Sequence, residues 1–340
     1  MLFRKTKNSF IAIFLLLFCS GCLQNTSNKI FERSFFVMGT LCDIKVVDSN
    51  DSSAREKIDK FENVLRKIDL QFSFYNPKSR LSKINALAKE GFVKLSPEEL
   101  TLLRKSIYYS KLTEGAFDIT FYPIWELWKK SEKRGAIPTK NGINSAIQKI
   151  GYKKIIFSKD GQSIKFAKNT ISINFGGVAK EYALIKCYQL AKENGIDNFL
   201  INLGGDIIAV GEGKREGNFS ERGNGWIIAI QDPFDKNKII GKLNLKDKIV
   251  LTSGVYQRFV EINQRKYHHI IDARSGLQKN DFAQLTIVGN IEFNVMPSIV
   301  LFLMGSEKAL NYLSKNKGLQ YIIIDKNGKI LSNVSEIVRN

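Results

Sequence analysis

The two histidines of this 340-residue chain are adjacent, His268 and His269, inside the segment YHHIIDARSG at residues 267–276. Imidazole is the side chain whose unperturbed pKa best suits proton transfer near neutral pH, so any histidine chemistry is confined to this segment. The segment is apolar and typical of a strand that ends in a turn. Because side chains alternate across a strand, only one of the two rings can face a given pocket. The alternative is one buried structural histidine beside a solvated one.

Two diglycine segments are near-copies of each other, INFGG at residues 173–177 and INLGG at residues 201–205. Each predicts a strand that runs into Gly-Gly. The first is followed by VAK and a helical pattern. A helix N-terminus behind glycines brings backbone N–H groups close to a phosphate, and Lys180 adds a positive charge in the first turn. The alternative for such segments is a turn that only reverses the chain.

The N-terminus has the composition of an export signal. Three basic residues among the first seven precede an apolar run at residues 10–18, which is too short to span a bilayer as a mature helix. The following Cys-Ser-Gly-Cys resembles the lipobox of bacterial lipoproteins. That resemblance implies cleavage before Cys22, lipidation of its sulfur, and a membrane-anchored protein that faces the periplasm or another extracytoplasmic space. The alternative is an ordinary signal peptide that contains Cys22.

These patterns predict a lipoprotein signal peptide at residues 1–21, a lipidated tether at residues 22–30 and a folded domain at residues 31–340. The net charge of +19 favours anionic partners such as phosphates, nucleotides or an acidic membrane face, unless it is simply spread over the surface. No basic run with interleaved aromatics is present, and export argues against nucleic acid as a partner. Cys42 and Cys187 form no C-x-x-C pair, so the sequence indicates neither a disulfide framework nor a thiolate metal site.

The order of helical and strand patterns predicts an α+β fold. The length suits one large domain of two intimate lobes, with mixed or antiparallel sheets flanked by helices. Helices are predicted at residues 55–70, 97–112 with Ser96 as N-cap, 139–150, 179–194, 297–304 and 307–315. Strands are predicted at residues 34–47 with a break at Gly39, 152–158, 163–167, 170–175, 198–203, 226–231, 238–244, 255–262, 266–271 and 321–325.

Eight sequence blocks carry a resemblance to a known family. They are FVMGT at 36–40, YNPKSRLSKIN at 75–85, GAFDIT at 115–120, PIWELW at 123–128, NFGGVAK at 174–180, NLGGD at 202–206, LTSG at 251–254 and YHHIIDARSG at 267–276. Together, and in this order, they resemble the ApbE-like flavin transferases, FAD:protein FMN transferases, along nearly the whole mature chain.

The resemblance implies an ApbE-like, T-fold-related domain. It also implies an enzyme that splits the pyrophosphate of FAD and transfers FMN to a Ser or Thr hydroxyl of an exported target protein, with release of AMP. Two alternatives stay open. One is an FAD pyrophosphatase that produces FMN and AMP, and the other is a non-catalytic FAD-binding lipoprotein with a degenerate metal site.

Roles for individual residues follow from the same resemblance. His269 is expected to act as base or proton shuttle, Lys180 to hold phosphate, and Asp272 to orient the turn or the imidazole. The FAD-binding residues that the resemblance implies are Met38, Tyr75, Ala116, Phe117, Asp118, Lys180, Glu181, Ser253, His269 and Ile270. The alternative for Asp118 is a turn or cap residue, and the alternative for Lys180 is a solvated lysine.

Departures from the family pattern concern acidic positions. Mg²⁺ is the implied metal, held by Gly177, Asn294 and Ser298. The family pattern has Asp, then Thr four residues later, where this chain has Asn294 and Ser298. Asn and Ser are weaker ligands for a hard cation, and the replacement of Asp by Asn removes a full negative charge. Asn174 stands where the family has Asp, and Glu181 stands where it has Gly. We expect Glu181 on the helix surface; the alternative is that it turns inward and partly compensates the lost charge.

Overall fold

The computed structural model describes residues 28–213, 225–293 and 295–334. The helices are α1 (Asp51–Phe72), α2 (Arg80–Leu87), α3 (Pro97–Leu112), α4 (Tyr122–Arg134), α5 (Lys140–Gln148), α6 (Ala179–Glu193), α7 (Ser298–Met304) and α8 (Ser306–Lys315). The strands are β1 (Lys29–Val37), β2 (Thr40–Asp48), β3 (Val93–Lys94), β4 (Ile155–Phe157), β5 (Ser163–Phe166), β6 (Phe199–Leu203), β7 (Asp206–Val210), β8 (Trp226–Gln231), β9 (Ile239–Leu245), β10 (Lys248–Gly254), β11 (Phe259–Ile262), β12 (Arg265–His268), β13 (Ile271–Asp272), β14 (Leu277–Gln278), β15 (Phe282–Asn290), β16 (Gln320–Asp325) and β17 (Ile330–Ser332).

Three predictions concern residues outside these ranges. The signal peptide, the lipidation site Cys22 and the metal ligand Asn294 are not among the described residues. Within the described ranges, no helix combines the length and the apolar character needed to cross a membrane.

Eight strands form the central sheet in the order β1-β2-β6-β7-β10-β15-β16-β17, and each neighbouring pair is antiparallel. Helices α1, α6 and α7 pack on one face of this sheet. The β8–β9 hairpin covers part of the other face. The remaining strands form the small sheets β3-β5-β4, β11-β12 and β13-β14. The predicted single α+β domain is therefore confirmed.

The main core lies between the central sheet and its helices. The fully buried rings of Phe61 in α1 and Phe199 in β6 meet with their centroids 4.7 Å apart. On the opposite face, the buried Trp226 donates its indole N–H to the backbone oxygen of Val210 at 2.8 Å. Burial of one large apolar side chain stabilises a fold by about 1.5–3 kcal/mol. Packing on both faces therefore fixes the strands whose ends carry the site.

The first predicted strand, residues 34–47, is a β-hairpin. Met38 and Gly39 connect β1 to β2 and have φ angles of +52° and +73°. A two-residue loop with positive φ at both positions has the twist that suits paired strands, and glycine adopts it at low cost. The break expected at Gly39 is thus a reversal of the chain, which brings Met38 to the cavity described below.

The predicted helix at residues 97–112 is confirmed as α3, and its first turn explains why the prediction succeeds. The Ser96 hydroxyl accepts from the Glu99 backbone N–H at 3.2 Å, and the Glu99 carboxylate accepts from the Ser96 backbone N–H at 2.8 Å. This reciprocal cap is visible as Ser-x-x-Glu in the sequence. The other predicted helices correspond to α1, α5, α6, α7 and α8, with boundaries that differ by a few residues.

The strands of the structure differ from the predicted ones in several places. The strand predicted at residues 170–175 is wrong: the backbone N–H and carbonyl of Ile173 bond to the side-chain amide of Asn85, at 2.8 and 2.9 Å, instead of to another strand. Strands β7 and β10 of the central sheet are not predicted, and neither is β15, which also lies inside that sheet. Eight of the nine residues of β15 are buried, so it lacks the alternation of polar and apolar residues that indicates a strand.

Candidate active site

A cavity of about 560 Å³ lies where the β1–β2 turn, the N-terminus of α6, the end of β10 and the start of α7 meet. Twelve residues predicted from the sequence line it: Met38, Tyr75, Ala116, Phe117, Asp118, Gly177, Lys180, Glu181, Ser253, His269, Ile270 and Ser298. Asp272 lies outside the lining. The fold therefore brings together at one place residues that are up to 260 positions apart in the chain, as seen for Met38 and Ser298.

His269 presents a proton acceptor to this cavity. Its Nδ1 atom lies 3.0 Å from the backbone carbonyl oxygen of Arg258. A carbonyl oxygen only accepts, so the proton of the neutral ring is on Nδ1 and the lone pair is on Nε2. Burial lowers the pKa of His269 to about 4, although the hydrogen bond to Arg258 acts in the opposite direction. The ring is therefore neutral near pH 7 and able to accept a proton at Nε2.

His268 has a different environment, as the alternation of side chains along a strand predicts. It is the last residue of β12, it is buried, and it does not line the cavity. Its Nε2 atom lies 3.0 Å from the side-chain oxygen of Asn280. Burial lowers the pKa of this imidazole too. Of the two rings, only that of His269 is available to a molecule bound in the cavity.

The N-terminus of α6 contributes backbone donors. Val178 is the N-cap residue and makes no side-chain hydrogen bond to the helix. The lining of the cavity includes Gly176, Gly177, Lys180 and Glu181 from this turn. The backbone N–H groups of Val178 and Ala179 already donate to the Phe175 carbonyl, at 2.8 Å each. An anion such as phosphate is therefore favoured by the partial positive charge of the helix N-terminus and by the N–H groups that follow these two. The first diglycine therefore leads into the helix N-terminus that the sequence predicts.

The second diglycine is the simple reversal given as its alternative. Gly204 and Gly205 have φ angles of +63° and +90° and connect β6 to β7. The reversal brings Asp206 beside Lys180, with 2.6 Å between the carboxylate Oδ2 and the ammonium Nζ. The other carboxylate oxygen of Asp206 accepts from the backbone N–H of Thr252 at 3.1 Å. Lys180 is thus held against the cavity and is not a solvated lysine.

Gly177 occupies a position that only glycine can fill without movement. A Cβ atom here would lie 2.9 Å from the ring of Phe117 and 3.6 Å from Ile299, the second residue of α7. On the same side, the hydroxyl oxygens of Ser253 and Ser298 are 2.8 Å apart, and both residues are buried. Hydroxyl and backbone oxygens are donors that a hard cation accepts. Two of the three predicted metal ligands, Gly177 and Ser298, therefore line the same cavity.

The charges around the cavity also bear on cation binding. Among the described residues, the lining contains four carboxylates, those of Asp69, Asp118, Glu181 and Asp206, against two cationic side chains, Lys180 and Arg258. In the part of the chain that the structure describes, no three His, Cys, Asp or Glu side chains are grouped to hold a metal ion. A divalent cation in this acidic cavity would therefore depend on hydroxyl, backbone and substrate oxygens.

Glu181 is buried, so its expected position on the helix surface is wrong. The Nζ atom of Lys105 in α3 donates to both of its carboxylate oxygens, at 2.9 and 3.1 Å. Burial raises the pKa of this carboxyl, and the charge of Lys105 opposes that rise. The neighbouring α3 supplies the partner that a sequence pattern on α6 alone does not reveal. Glu181 turns inward, as the alternative has it, and its charge is already matched.

Asp118 has the contacts of a turn residue. Its carboxylate accepts from the Thr120 hydroxyl at 2.6 Å and from the Tyr152 backbone N–H at 2.8 Å. Burial raises its pKa, against the effect of these hydrogen bonds. Both oxygens therefore have protein partners, which is the alternative arrangement considered for this residue. Its predicted contact with the nucleotide stays a prediction.

One end of the cavity is aromatic. Phe74 and Tyr122 have ring centroids 4.4 Å apart, and Tyr75 lies 6.0 Å from Tyr122. The Nζ atom of Lys129 lies 5.6 Å from the centroid of Tyr75, and Tyr75 is 65% exposed. A flat ligand ring can stack on such surfaces at low conformational cost. Tyr75 of the YNP block and Trp125 of the PIW block both line the cavity, although the sequence singles out only Tyr75 there.

Asp272 orients the turn. Its carboxylate holds the guanidinium of Arg274 at 2.6 Å and accepts the backbone N–H of Arg274 at 2.9 Å. Sequence reasoning assigns no role to several lining residues, of which Asp206 and Trp125 lie within the family blocks and Asp69, Tyr122 and Arg258 lie outside them. Asp206 follows the second diglycine, which is a signal that could have identified it. Arg258 has no such signal, because its position depends on how the hairpin after β10 folds back.

Sequence and structure comparisons identify known proteins that are similar to this chain. The model of the ApbE family matches residues 38–323. A FAD:protein FMN transferase from Haemophilus influenzae is 25% identical over 335 residues, covering 94% of this chain and 93% of the relative. The crystal structure of the ApbE protein from Thermotoga maritima is 27% identical, with a TM-score of 0.75 over 89% of this chain and 97% of that one. The flavin transferase ApbE from Vibrio cholerae, 22% identical, has the same fold, with a TM-score of 0.72 over 91% and 98% of the two chains. This chain belongs to the ApbE family.

Proposed function

We propose that this chain is an FAD:protein FMN transferase, which cleaves the pyrophosphate of FAD and transfers FMN to a Ser or Thr hydroxyl of another protein. Membership of the ApbE family and the activity named for the Haemophilus influenzae relative support the proposal. The observation that carries it is the neutral His269 ring, whose Nε2 lone pair is available in a cavity that also contains Lys180 and the N-terminus of α6.

The transfer can be written with the residues of this cavity. The oxygen of the acceptor hydroxyl bonds to the phosphorus of the FMN half, and its proton moves to Nε2 of His269. The bond from that phosphorus to the bridging oxygen breaks, and AMP leaves with the bridging oxygen. Lys180 and the N–H groups of α6 stabilise the negative charge of the phosphates during this step. The Tyr75 and Tyr122 rings offer a surface for the flat isoalloxazine.

Mg²⁺ belongs to the proposal as the counter-ion of the diphosphate. The fit rests on the donor set, because Gly177 and Ser298 both line a cavity whose lining has more carboxylates than cationic side chains. Asn294 is the third ligand that we propose, from its place in the sequence. When bound, the ion supplies positive charge to the phosphate oxygens.

We also propose that the protein acts outside the cytoplasm, anchored by a lipid on Cys22, and that its acceptor is an exported protein. The basic, apolar and Ser-Gly-Cys segments of residues 4–22 support this location. Replacement of Cys22 by Ser tests it. The unaltered protein should take up labelled palmitate and sediment with membranes, and Cys22→Ser should do neither. Equal labelling of the two proteins would contradict the anchor.

The transferase proposal is tested in cells and with purified protein. Exported proteins are separated on a denaturing gel and examined for covalent flavin fluorescence, in cells with the intact gene, without it, and with His269→Ala. We expect a fluorescent band only with the intact gene. The acceptor so identified is then incubated with purified enzyme, FAD and Mg²⁺, and its intact mass and the released AMP are measured.

The purified reaction distinguishes the alternatives. Transfer predicts equal amounts of AMP and of FMN bound to the acceptor. Release of AMP with free FMN and no labelled acceptor would indicate a pyrophosphatase. Retention of intact FAD, even with excess Mg²⁺, would indicate a binding protein. Either of the last two results would overturn the transferase proposal.

A further inference from the structure

Arg258 places a cationic side chain at the cavity. Of the two cationic side chains that line the cavity, Lys180 is paired with Asp206 at 2.6 Å. Within the described ranges, no carboxylate forms a salt bridge with Arg258. Its Nη2 atom donates to the backbone oxygen of Gly39 at 3.0 Å, and the side chain is exposed. A guanidinium has five N–H donors in a planar fork, so most of its donors remain available for an anion.

The position of Arg258 is fixed from two directions. Its backbone carbonyl accepts from both the backbone N–H and the Nδ1 atom of His269, each at 3.0 Å. Its side chain spans to the turn of the β1–β2 hairpin at Gly39. The residue therefore connects the proposed base with the hairpin on the other side of the cavity. Its charge is close enough to add to the lowering of the His269 pKa, for which burial is the larger cause.

The partner of the guanidinium is one that a phosphate can replace. A backbone carbonyl is a neutral acceptor, whereas a phosphate oxygen is charged and accepts two parallel bonds from an arginine fork. Gly39 and Arg258 are both exposed, so the hydrogen bond between them is accessible to solvent and to a ligand in solution. If a phosphate replaces the Gly39 carbonyl, Arg258 therefore loses one neutral hydrogen bond and forms charge-assisted hydrogen bonds to the phosphate.

We propose that Arg258 binds a phosphate group of the flavin nucleotide, in exchange for the Gly39 carbonyl, and thereby makes the cavity select phosphorylated flavins over riboflavin. The inference rests on the proposed function, since it names the residue that recognises the anionic part of that substrate. Phosphate binding by Arg258 can be distinguished from a purely structural role of this residue. A residue that only holds the hairpin would affect the binding of phosphorylated and unphosphorylated flavins equally.

The test compares FAD with riboflavin as ligands. Dissociation constants are measured from flavin fluorescence for the full mature chain, Arg258→Gln, Arg258→Lys and the control Arg265→Gln, whose cation is exposed on β12 and outside the cavity. Loss of a charge-assisted bond is worth about 1.5–3 kcal/mol, so Arg258→Gln should weaken FAD binding by roughly 10- to 150-fold. Riboflavin binding should change less than about twofold, Arg258→Lys should fall between, and the control should bind like the unaltered chain.

Several results would overturn the inference. Equal losses for FAD and riboflavin would mean that Arg258 only maintains the hairpin. Unchanged FAD binding in Arg258→Gln would mean that it does not contact the phosphates. The proposed function fails separately: if the unaltered chain labels no acceptor but loses FAD selectively on Arg258→Gln, the transferase proposal is wrong and the role of Arg258 stands. Absence of FAD binding to the unaltered chain would contradict both.

Discussion

The Nδ1 atom of His269 and the backbone carbonyl oxygen of Arg258 are 3.0 Å apart, and this one hydrogen bond sets which ring nitrogen can accept a proton. Because the bond uses main-chain oxygen, substitutions of the Arg258 side chain leave it in place. The same residue therefore offers two separable contributions, a carbonyl that orients the imidazole and a guanidinium that can bind an anion.

The pH dependence of the reaction should report the low pKa of His269. A base works only when unprotonated, and burial lowers its pKa to about 4. We therefore expect kcat/KM to stay level as the pH falls through about 6.5, the usual histidine value, and to decline only near pH 4. The measurement is AMP release over this range, with samples returned to neutral pH to control for unfolding. A decline centred near pH 6.5 would contradict the low pKa of His269.

Replacement of Gly177 by Ala should damage the cavity. The new Cβ would lie 2.9 Å from the Phe117 ring, and such overpacking typically costs about 1–3 kcal/mol. We expect a lower free energy of unfolding in urea and weaker FAD binding. Gly91→Ala is the matched control, because a Cβ there meets nothing within 4 Å. If both variants bind FAD like the unaltered chain, the close approach at Gly177 has no role in the site.

The buried pair of Lys105 and Glu181 should be important for stability. Lys105→Met leaves a buried carboxylate without its partner, and the loss of one member of a buried pair costs about 3–5 kcal/mol. The cost should shrink as the pH is lowered, because protonation of Glu181 removes the buried charge. The control is Lys192→Met, which breaks an exposed pair with Glu292 and should leave the free energy of unfolding nearly unchanged. Similar midpoints in urea for the two variants would contradict this account.

At the proposed metal site, one substitution should increase the apparent affinity for Mg²⁺. Asn294→Asp adds a carboxylate where the family pattern has Asp, so the Mg²⁺ concentration for half-maximal AMP release should fall. Ser298→Ala removes a hydroxyl donor and should raise that concentration. Titrations of both variants with Mg²⁺ at saturating FAD make the comparison. An unchanged Mg²⁺ response in both would show that these positions do not hold the ion.

Much of the fold can be predicted because local signals agree with it. The capping box at Ser96 and Glu99 marks the start of α3 in the sequence itself. Strand β15 escapes prediction because burial on both faces removes its alternation. The segment at 170–175 has the strand pattern without the strand, because a side-chain amide from Asn85 in α2 takes the place of a neighbouring strand. Such a partner is visible only in three dimensions.

The residues of the site could be predicted only in part. The family blocks identify most lining residues, since His269, Lys180 and Gly177 each stand in a recognisable pattern. The partners of these residues are not in the patterns. Lys105 approaches Glu181 from α3, and Arg258 reaches Gly39 across 219 positions of the chain. Long-range contacts of this kind decide whether a carboxylate is buried or a cation is free, and no local spacing encodes them.

The substitution His269→Ala tests the central claim most directly. With FAD, Mg²⁺ and the acceptor protein, the rate of covalent FMN attachment is followed by intact mass, and FAD affinity is measured in parallel. Loss of a general base should lower the rate by roughly 10²- to 10⁴-fold, while the dissociation constant for FAD changes by less than about threefold. Attachment at the unaltered rate would contradict the assignment of His269 as the base.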